Sequence, residues 1–286
     1  MTRYLHVANG TSTTSTIEQA GLAGATSIWA DPLHEGPVPD VPDEELISIR
    51  ARHLAGADHA ADMVAVELRA WRAAIDASAT YDELVLWYEH DLFDQLNLIQ
   101  LLDRLATQRP RPPLVSLISI GTFPGHAAFK GLGELTPGEL APLFGTRQPV
   151  TEAQSSLAVR AWSAFRSADP AAVEALLGTD TSALPFLAAA LARHLEEFPS
   201  TLEGLSRTER RVLELAASGP IDLRTAFPLM HEDEAAFYIA DMSFLAVVRG
   251  LESGPVPLTV RRRAESGTSE LSGTIELTRE GRDVLA

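Results

Sequence analysis

Four short apolar runs in the first half of the sequence end in polar or glycine residues of the kind that bind small molecules. The first run, YLHVA, is followed by Asn9, Gly10, Thr11 and Ser12. An Asn-Gly turn that opens a helix presents backbone N–H groups, and the hydroxyl groups add donors, so this stretch predicts a site for a phosphate or carboxylate group. The alternative is a plain turn in which one hydroxyl group caps the helix. The stretch matches neither a GxGxxG motif nor a P-loop.

Acidic and imidazole side chains stand at the ends of the second and third runs. His34 and Glu35 follow ATSIWA, and Glu89, His90 and Asp91 end and follow ELVLWYE. Such groups on neighbouring loops could supply acid–base catalysis or ligand contacts. They could also coordinate a divalent cation, but their spacing matches no standard motif such as HExxH, and we predict no metal site. In the alternative interpretation, Asp91 caps the following helix and the other four lie in solvated strand ends and turns.

Two further residues complete the predicted site. Gln95 lies one helical turn beyond Asp91, where its side chain could reach a ligand at the helix N-terminus, and solvent exposure is the alternative. Gly121 opens the glycine-rich stretch after the fourth run, LVSLISI. Because the carboxyl ends of parallel strands meet at one edge of an open α/β sheet, we expect the residues after all four runs to face one crevice.

The apolar runs alternate with helix-like segments such as DLFDQLNLIQLLDRLA. This alternation predicts an α/β domain over residues 1–145, with a mainly parallel sheet and flanking helices. Over residues 146–200, helical patterns interrupted at Asp169-Pro170 and Leu184-Pro185 predict a helical segment packed on that domain.

Residues 201–286 predict a winged-helix-like domain. SRTERRVLELAASG begins with a capping box of Ser206 and Glu209, and IDLRTAFPLM and EDEAAFYIADMSFLAVVRG predict two more helices. VPLTVRRR and GTIELT predict the two strands of a hairpin. The candidate recognition helix opens with Glu232, Asp233 and Glu234, which would meet DNA with negative charge.

Contacts with DNA phosphates could come only from a few arginines of this region, namely Arg207, Arg210, Arg211, Arg261, Arg262 and Arg263. DNA is therefore a disfavoured partner, and the alternatives are a protein partner or self-association.

Composition restricts the classes of function. The 286 residues carry a net charge of −16, and each of the three predicted segments is acidic, which opposes broad binding of nucleic acid. The absence of cysteine excludes disulfides, thiolate zinc sites and cysteine nucleophiles. No apolar window is long enough to span a membrane, and the N-terminus shows no signal-peptide pattern, so we expect no membrane partner and a cytoplasmic location.

The sequence also resembles a known family. LHVANG, LHEGPVP, LWYEHDLFDQLNLIQLL and GLGELTPGEL, with the segment from TSALPF to RRVLEL, are similar to bacterial proteins that carry domain-of-unknown-function family 1835. The similarity extends over nearly the whole chain, and HEGP with EHDLFDQL is its most specific part. The resemblance implies no activity. The first motif of that family reads Asn-Gly-Asp, whereas Thr11 stands at the third place here, so the resemblance implies no carboxylate at that position.

These observations lead to three hypotheses about function. The first is a small anionic or nucleotide-like ligand bound at the strand ends, with transferase or hydrolase activity and with no cofactor identified. The second is a ligand-responsive winged-helix transcription regulator, and the third is a non-catalytic scaffold for protein interaction.

Overall fold

A computed structural model describes residues 2–56, 60–262 and 271–286. The chain divides into two compact units, Met1–Ala192 and Arg193–Ala286. Among the described residues, no helix combines the length and apolar character needed to cross a membrane.

The first unit is built on a five-stranded sheet in the order β2-β1-β3-β4-β5. Its four longer strands are parallel, and the short fifth strand is antiparallel to β4. This sheet confirms the predicted α/β class with a mainly parallel sheet. The strands are β1 (Tyr4–Ala8), β2 (Ala25–Ile28), β3 (Glu83–Glu89), β4 (Val115–Ile120) and β5 (Gln148–Pro149).

The helices of this unit follow the strands as the alternating pattern predicted. One turn of 3-10 helix follows α3, and two more flank α5. The last helix continues into the second unit. The helices are α1 (Thr11–Gln19), α2 (Asp43–Ala55), α3 (Ala61–Asp76), α4 (Leu92–Thr107), α5 (Pro137–Leu140), α6 (Glu152–Phe165), α7 (Ala171–Leu177) and α8 (Leu187–Leu195).

Strand β3 lies at the centre of the sheet, and all seven of its residues are buried. A near-continuous apolar run suits a strand that is covered on both faces. The two exceptions are the carboxyl groups at its ends. Glu83, at the amino end, forms an ion pair with Arg147, whose Nε lies 2.7 Å from Oε1. Glu89, at the carboxyl end, belongs to the candidate site.

The chain reverses its direction of winding between β1 and β3. From β1 the chain crosses to β2 on one side, and from β2 it returns past β1 to β3 on the other. In open α/β sheets, such a switch point leaves a crevice beyond the carboxyl ends of the two strands, where ligands bind. Asn9 and Glu89 stand at this point, at the ends of β1 and β3.

In its described residues, 193–262 and 271–286, the second unit contains four further helices and a three-stranded antiparallel sheet in the order β6-β8-β7. The capping box at its start is present, because Ser206 and Glu209 exchange hydrogen bonds between side chain and backbone. Its helices are α9 (Arg207–Ala216), α10 (Leu223–Leu229), α11 (Asp241–Ser253) and α12 (Arg279–Leu285). Its strands are β6 (Ile221–Asp222), β7 (Thr259–Arg262) and β8 (Thr274–Leu277).

One prediction for this unit is wrong: the candidate recognition helix does not open at Glu232. Helix α11 begins only at Asp241, after an irregular segment. This segment buries Phe237 and Ile239, and His231 Nε2 lies 2.9 Å from the carbonyl oxygen of Ile239, so it packs without helical geometry. The winged-helix interpretation stays a prediction. Arg263 and most of the predicted hairpin turn lie outside the described residues.

Candidate functional site

An open cleft of about 430 Å³ lies beyond the carboxyl ends of β1 and β3, at the switch point of the sheet. The first turn of α1 lines it on one side and the loop before α5 on the other, and the carboxyl end of β3 with the turn that follows it forms the floor. The lining residues are Asn9, Gly10, Thr11, Ser12, Thr13, Glu89, Asp91, Lys130, Gly131, Gly133 and Glu134.

Asn9 holds together the polar groups at the floor of the cleft. Its Nδ2 donates to Oε2 of Glu89 at 2.7 Å and to Oδ2 of Asp94 at 2.8 Å. Its Oδ1 accepts a hydrogen bond from the hydroxyl group of Thr13 at 3.1 Å. One carboxamide therefore connects the end of β1, the end of β3 and the first turn of α4.

The Glu89 carboxyl group is also bound from the opposite wall. Its Oε1 accepts a hydrogen bond from the backbone N–H of Leu132. A Cβ atom at Gly131 would lie only 2.8 Å from that oxygen, so the close approach of this loop requires glycine. Gln95, behind Glu89, donates to its backbone carbonyl at 2.6 Å. The position of Glu89 is thus fixed by contacts from several elements.

Three carboxyl groups of this cluster have raised pKa values. Burial raises the pKa of Glu89 from 4.5 to about 7. Burial and the neighbouring charge of Glu89 raise the pKa of Asp94 well above its ordinary value, and burial and the charge of Asp94 do the same for Asp91. Carboxyl groups this close cannot all ionise, so the cluster retains protons at neutral pH. A group with a pKa near 7 can both accept and donate a proton in a reaction.

Helix α1 begins at the cleft without a side-chain cap from any described residue. The hydroxyl groups bond elsewhere: Thr14 donates to the carbonyl oxygen of Gly10 at 3.3 Å, and Thr16 donates to that of Ser12 at 3.0 Å. Ser12 donates across the cleft to the carbonyl oxygen of Gly133 at 3.2 Å. The first N–H groups of an α-helix have no partner within the helix, so this end is available to an anion.

Lys130 is a cleft residue that sequence reasoning missed. It lies on the loop opposite α1 and is the single lysine of the 286-residue sequence, in which every other basic side chain of the Lys/Arg class is arginine. That rarity, in a glycine-rich stretch after a strand, was the available signal. Its ammonium group adds positive charge to the cleft.

His34 and Glu35 do not line this cleft. They lie on the loop after β2, an edge strand one position away from the switch point, and His34 Nε2 is 3.2 Å from Oε1 of Glu35. Arg50, which is fully buried, organises this loop: its Nη2 lies 2.7 Å from Oδ1 of Asp31, and its guanidinium also donates to the carbonyl oxygens of Pro32 and Glu35.

His90 and Gly121 form a separate contact at the ends of β3 and β4. The His90 ring lies between Phe129 and Phe186, with centroid distances of 6.4 and 6.1 Å, and burial lowers the pKa of His90. A Cβ atom at Gly121 would lie 2.8 Å from the ring of Phe186 and 3.2 Å from Cβ of His90. These two residues pack against aromatic rings and lie outside the cleft lining.

The remaining predicted residues divide between the cleft and its support. Asp91 lines the cleft and also caps α4, accepting from the backbone N–H of Asp94 at 2.9 Å. Gln95 is only 1% exposed, so its solvent-exposed interpretation is wrong, and it supports Glu89 from behind. Across the described ranges, no group of three or more His, Asp and Glu side chains could hold a metal ion.

The three arginines of α9 that were proposed for phosphate contacts have carboxylate partners. Arg207 Nη1 lies 2.7 Å from Oε2 of Glu196, and Arg210 Nε lies 2.9 Å from Oε1 of Glu214. Arg211 Nη1 lies 3.9 Å from the other oxygen of Glu214. The positive charge of α9 is therefore balanced within the unit.

Comparisons with known protein families and with curated proteins do not assign the chain to a family. No model of a known protein family matches the chain, and neither does any curated protein. The resemblance to family 1835 stays a prediction.

Proposed function

We propose that the cleft between β1 and β3 binds a small anionic or nucleotide-like molecule and that the chain is a transferase or hydrolase acting on it. The observation that carries the proposal is the Asn9 carboxamide, which bonds to both Glu89 and Asp94 at the floor of a solvent-accessible cleft. Clustered carboxyl groups with raised pKa values are costly to the fold and are typical of active sites.

Two features of the cleft support an anionic ligand. The start of α1 carries the positive end of the helix dipole, and Lys130 lies on the opposite wall. The protonated fraction of Glu89 and Asp91 reduces the negative charge that an entering anion meets. In this interpretation, the helix start and Lys130 hold the anionic group, and Glu89 or Asp91 exchanges a proton with the reacting part of the molecule.

Thermal unfolding of the full chain tests the proposal with phosphate, nucleoside monophosphates, sugar phosphates and dicarboxylates as probes. We expect at least one probe to raise the Tm, and we expect Lys130→Ala to reduce that shift because it removes the cation of the cleft. Arg69→Ala is the matched control, since Arg69 is an exposed cation on α3 outside the cleft. A shift that is unchanged in Lys130→Ala, or the lack of any shift, would count against the proposal.

The regulator hypothesis is a second candidate, and its supporting observation is the compact second unit with its three-stranded sheet. The ion pairs of α9 oppose it, so the small-molecule site is the function that the geometry supports best.

A further inference from the structure

One of the three carboxyl groups at the floor of the cleft differs from the other two in its accessibility. Glu89 and Asp91 both line the cleft, but Glu89 and Asp94 are only 2% and 1% exposed, whereas Asp91 is partly exposed. Glu89 uses one oxygen for the N–H of Leu132 and the other for the Asn9 carboxamide. Asp91 accepts a hydrogen bond from the backbone N–H of Asp94 with its Oδ1, but it is the least buried of the three carboxyl groups, so it is the one best placed to contact a ligand.

An anion in this cleft would meet attraction and repulsion together. Lys130 and the start of α1 attract it, but an ionised Asp91 repels it unless a proton lies between the two groups. Hydrogen phosphate carries such a proton on its own P–OH group. Sulfate has the same tetrahedral shape and charge, but it holds no proton at neutral or alkaline pH.

We infer that Asp91 makes the cleft selective for hydrogen phosphate over sulfate by accepting a hydrogen bond from the P–OH group. The inference rests on the proposed function, because it requires an anion in the cleft, and it adds the class of ligand and the residue that selects it. The step is a binding equilibrium in which no covalent bond forms or breaks.

The selectivity must depend on pH. Sulfate can bind only when Asp91 has taken a proton from solvent and donates it, so sulfate affinity falls as Asp91 ionises. Phosphate supplies the proton itself, so its affinity persists. The charged groups around Asp91 are Glu89 from β3, Asp94 from α4, and Lys130 and Glu134 from the opposite loop. Their titration affects both anions, and it cancels in the ratio of the two affinities at alkaline pH, where both anions carry two negative charges.

Isothermal titration of the full chain with sodium phosphate and with sodium sulfate, at matched ionic strength and with a chelator present, measures this ratio. We expect an advantage for phosphate of about tenfold or more at about pH 9, where both anions carry two negative charges, which is the size of one hydrogen bond to a charged group. We expect this advantage to be smaller at about pH 5, where a protonated Asp91 can donate to sulfate and phosphate carries one charge fewer. This comparison needs no variant, so it does not depend on a substitution being tolerated.

Asp91→Asn tests the assignment to this residue. Asparagine caps a helix about as well as aspartate, so the start of α4 should be retained. Its amide group is a permanent donor, so we expect the ratio of phosphate to sulfate affinity at about pH 9 to approach one. Asp62→Asn, the same change at an exposed position of α3, is the matched control and should keep the wild-type ratio.

The outcomes separate this inference from the proposed function. Equal affinities at alkaline pH, with binding that Lys130→Ala abolishes, would overturn the selectivity and leave the anion site in place. The absence of binding by either anion would overturn the selectivity, whereas the proposed function would be overturned only if no probe of the thermal unfolding series bound.

The same chemistry fits free phosphate and the monoanion of a phosphate ester, and methyl phosphate distinguishes these sources. Its second pKa is about 6, so it carries a P–OH group only in acid. Binding of methyl phosphate at about pH 5 would identify an ester site, and its rejection there would identify a site for free phosphate. Methyl phosphate that matches inorganic phosphate at about pH 9 would contradict recognition of the P–OH group.

Discussion

Asn9 and Glu89 are joined by a 2.7 Å hydrogen bond although 80 positions separate them in the sequence. The bond connects the residue after β1 to the last residue of β3, the two strands that flank the switch point of the sheet. The amide group of Asn9 also donates to Asp94. A neutral donor at this position satisfies two buried carboxyl groups without adding charge.

Asn9→Asp should destabilise the protein in a pH-dependent way. The new carboxyl group can donate to only one of Glu89 and Asp94, and only while it is protonated, whereas its ionised form would repel both. Its pKa is therefore raised in the folded state, so stability is retained in acid and is lost as the pH rises. We expect the free energy of unfolding to fall by about 1–3 kcal/mol at about pH 8 and by less at about pH 5, measured by urea unfolding.

Gln148→Glu serves as the control, because it makes the same amide-to-carboxyl change at an exposed position of β5. Its effect should be small at both pH values. An Asn9→Asp protein that loses equal stability at both pH values would show that Asn9 does not act through the carboxyl cluster.

Glu89→Gln should remove a part of the pH dependence of stability. Burial raises the pKa of Glu89 from 4.5 to about 7, so the folded state holds this proton more tightly than the unfolded state. The stabilising contribution is complete below the unfolded value and is lost as the pH rises through the folded value. Relative to Glu89→Gln, the wild type should lose up to about 3 kcal/mol of unfolding free energy across this window, measured by chemical unfolding.

Glu83→Gln gives a matched control of opposite sign at the other end of β3. Burial raises the pKa of Glu83, but hydrogen bonds from Arg147 and Ser116 outweigh this effect and hold the pKa below its usual value. The contribution of Glu83 is therefore present above its ordinary pKa and is lost on acidification. If the stability of both variants depended on pH in the same way, the assignment of the proton to Glu89 would be contradicted.

The sequence was sufficient to predict the parallel sheet and a part of the candidate site. ELVLWYE matches β3 residue for residue, because a strand buried on both faces has to be almost continuously apolar. The residues after the first and third runs meet in one cleft, as the rule about strand ends requires. Asn9, Glu89 and Asp91 could thus be placed from sequence.

The second and fourth runs show the limit of that rule. The order of the strands, which sequence spacing does not determine, places β2 at the edge, and Arg50 holds its loop so that His34 stays outside the cleft. Lys130 was not predicted because its position in the cleft depends on how a glycine-rich loop folds back over β3. No local periodicity in the sequence predicts this path of the loop.

Arg50→Ala should cause a large loss of stability. The Arg50 side chain is fully buried and pairs with Asp31, so its removal leaves a buried carboxylate and several loop carbonyl groups without their donor. Breaking such a pair costs about 3–5 kcal/mol. Arg52→Ala, at an exposed position two residues along α2, should change stability by about 0.5 kcal/mol or less in the same urea titration. Similar effects of the two substitutions would refute this role.

The ion pairs of α9 predict that the wild-type chain does not bind duplex DNA. Arg210 lies between Glu203 and Glu214 and donates to both, so a DNA phosphate would have to displace carboxylates already in place. The double variant Glu203→Gln with Glu214→Gln removes both negative charges, and it should raise the affinity for a random duplex at low salt. Each additional DNA phosphate that the variant neutralises should steepen the dependence of log K on log salt concentration by about 0.9.

Fluorescence anisotropy with a labelled duplex, measured over a series of salt concentrations, provides both quantities. Glu18→Gln with Glu44→Gln is the control, because it changes the net charge equally at exposed positions of the first unit. Equal increases in affinity for the two double variants would mean that net charge alone governs the interaction. Salt-sensitive binding by the wild type would favour the regulator hypothesis, because it would require basic groups that the pairs on α9 do not neutralise.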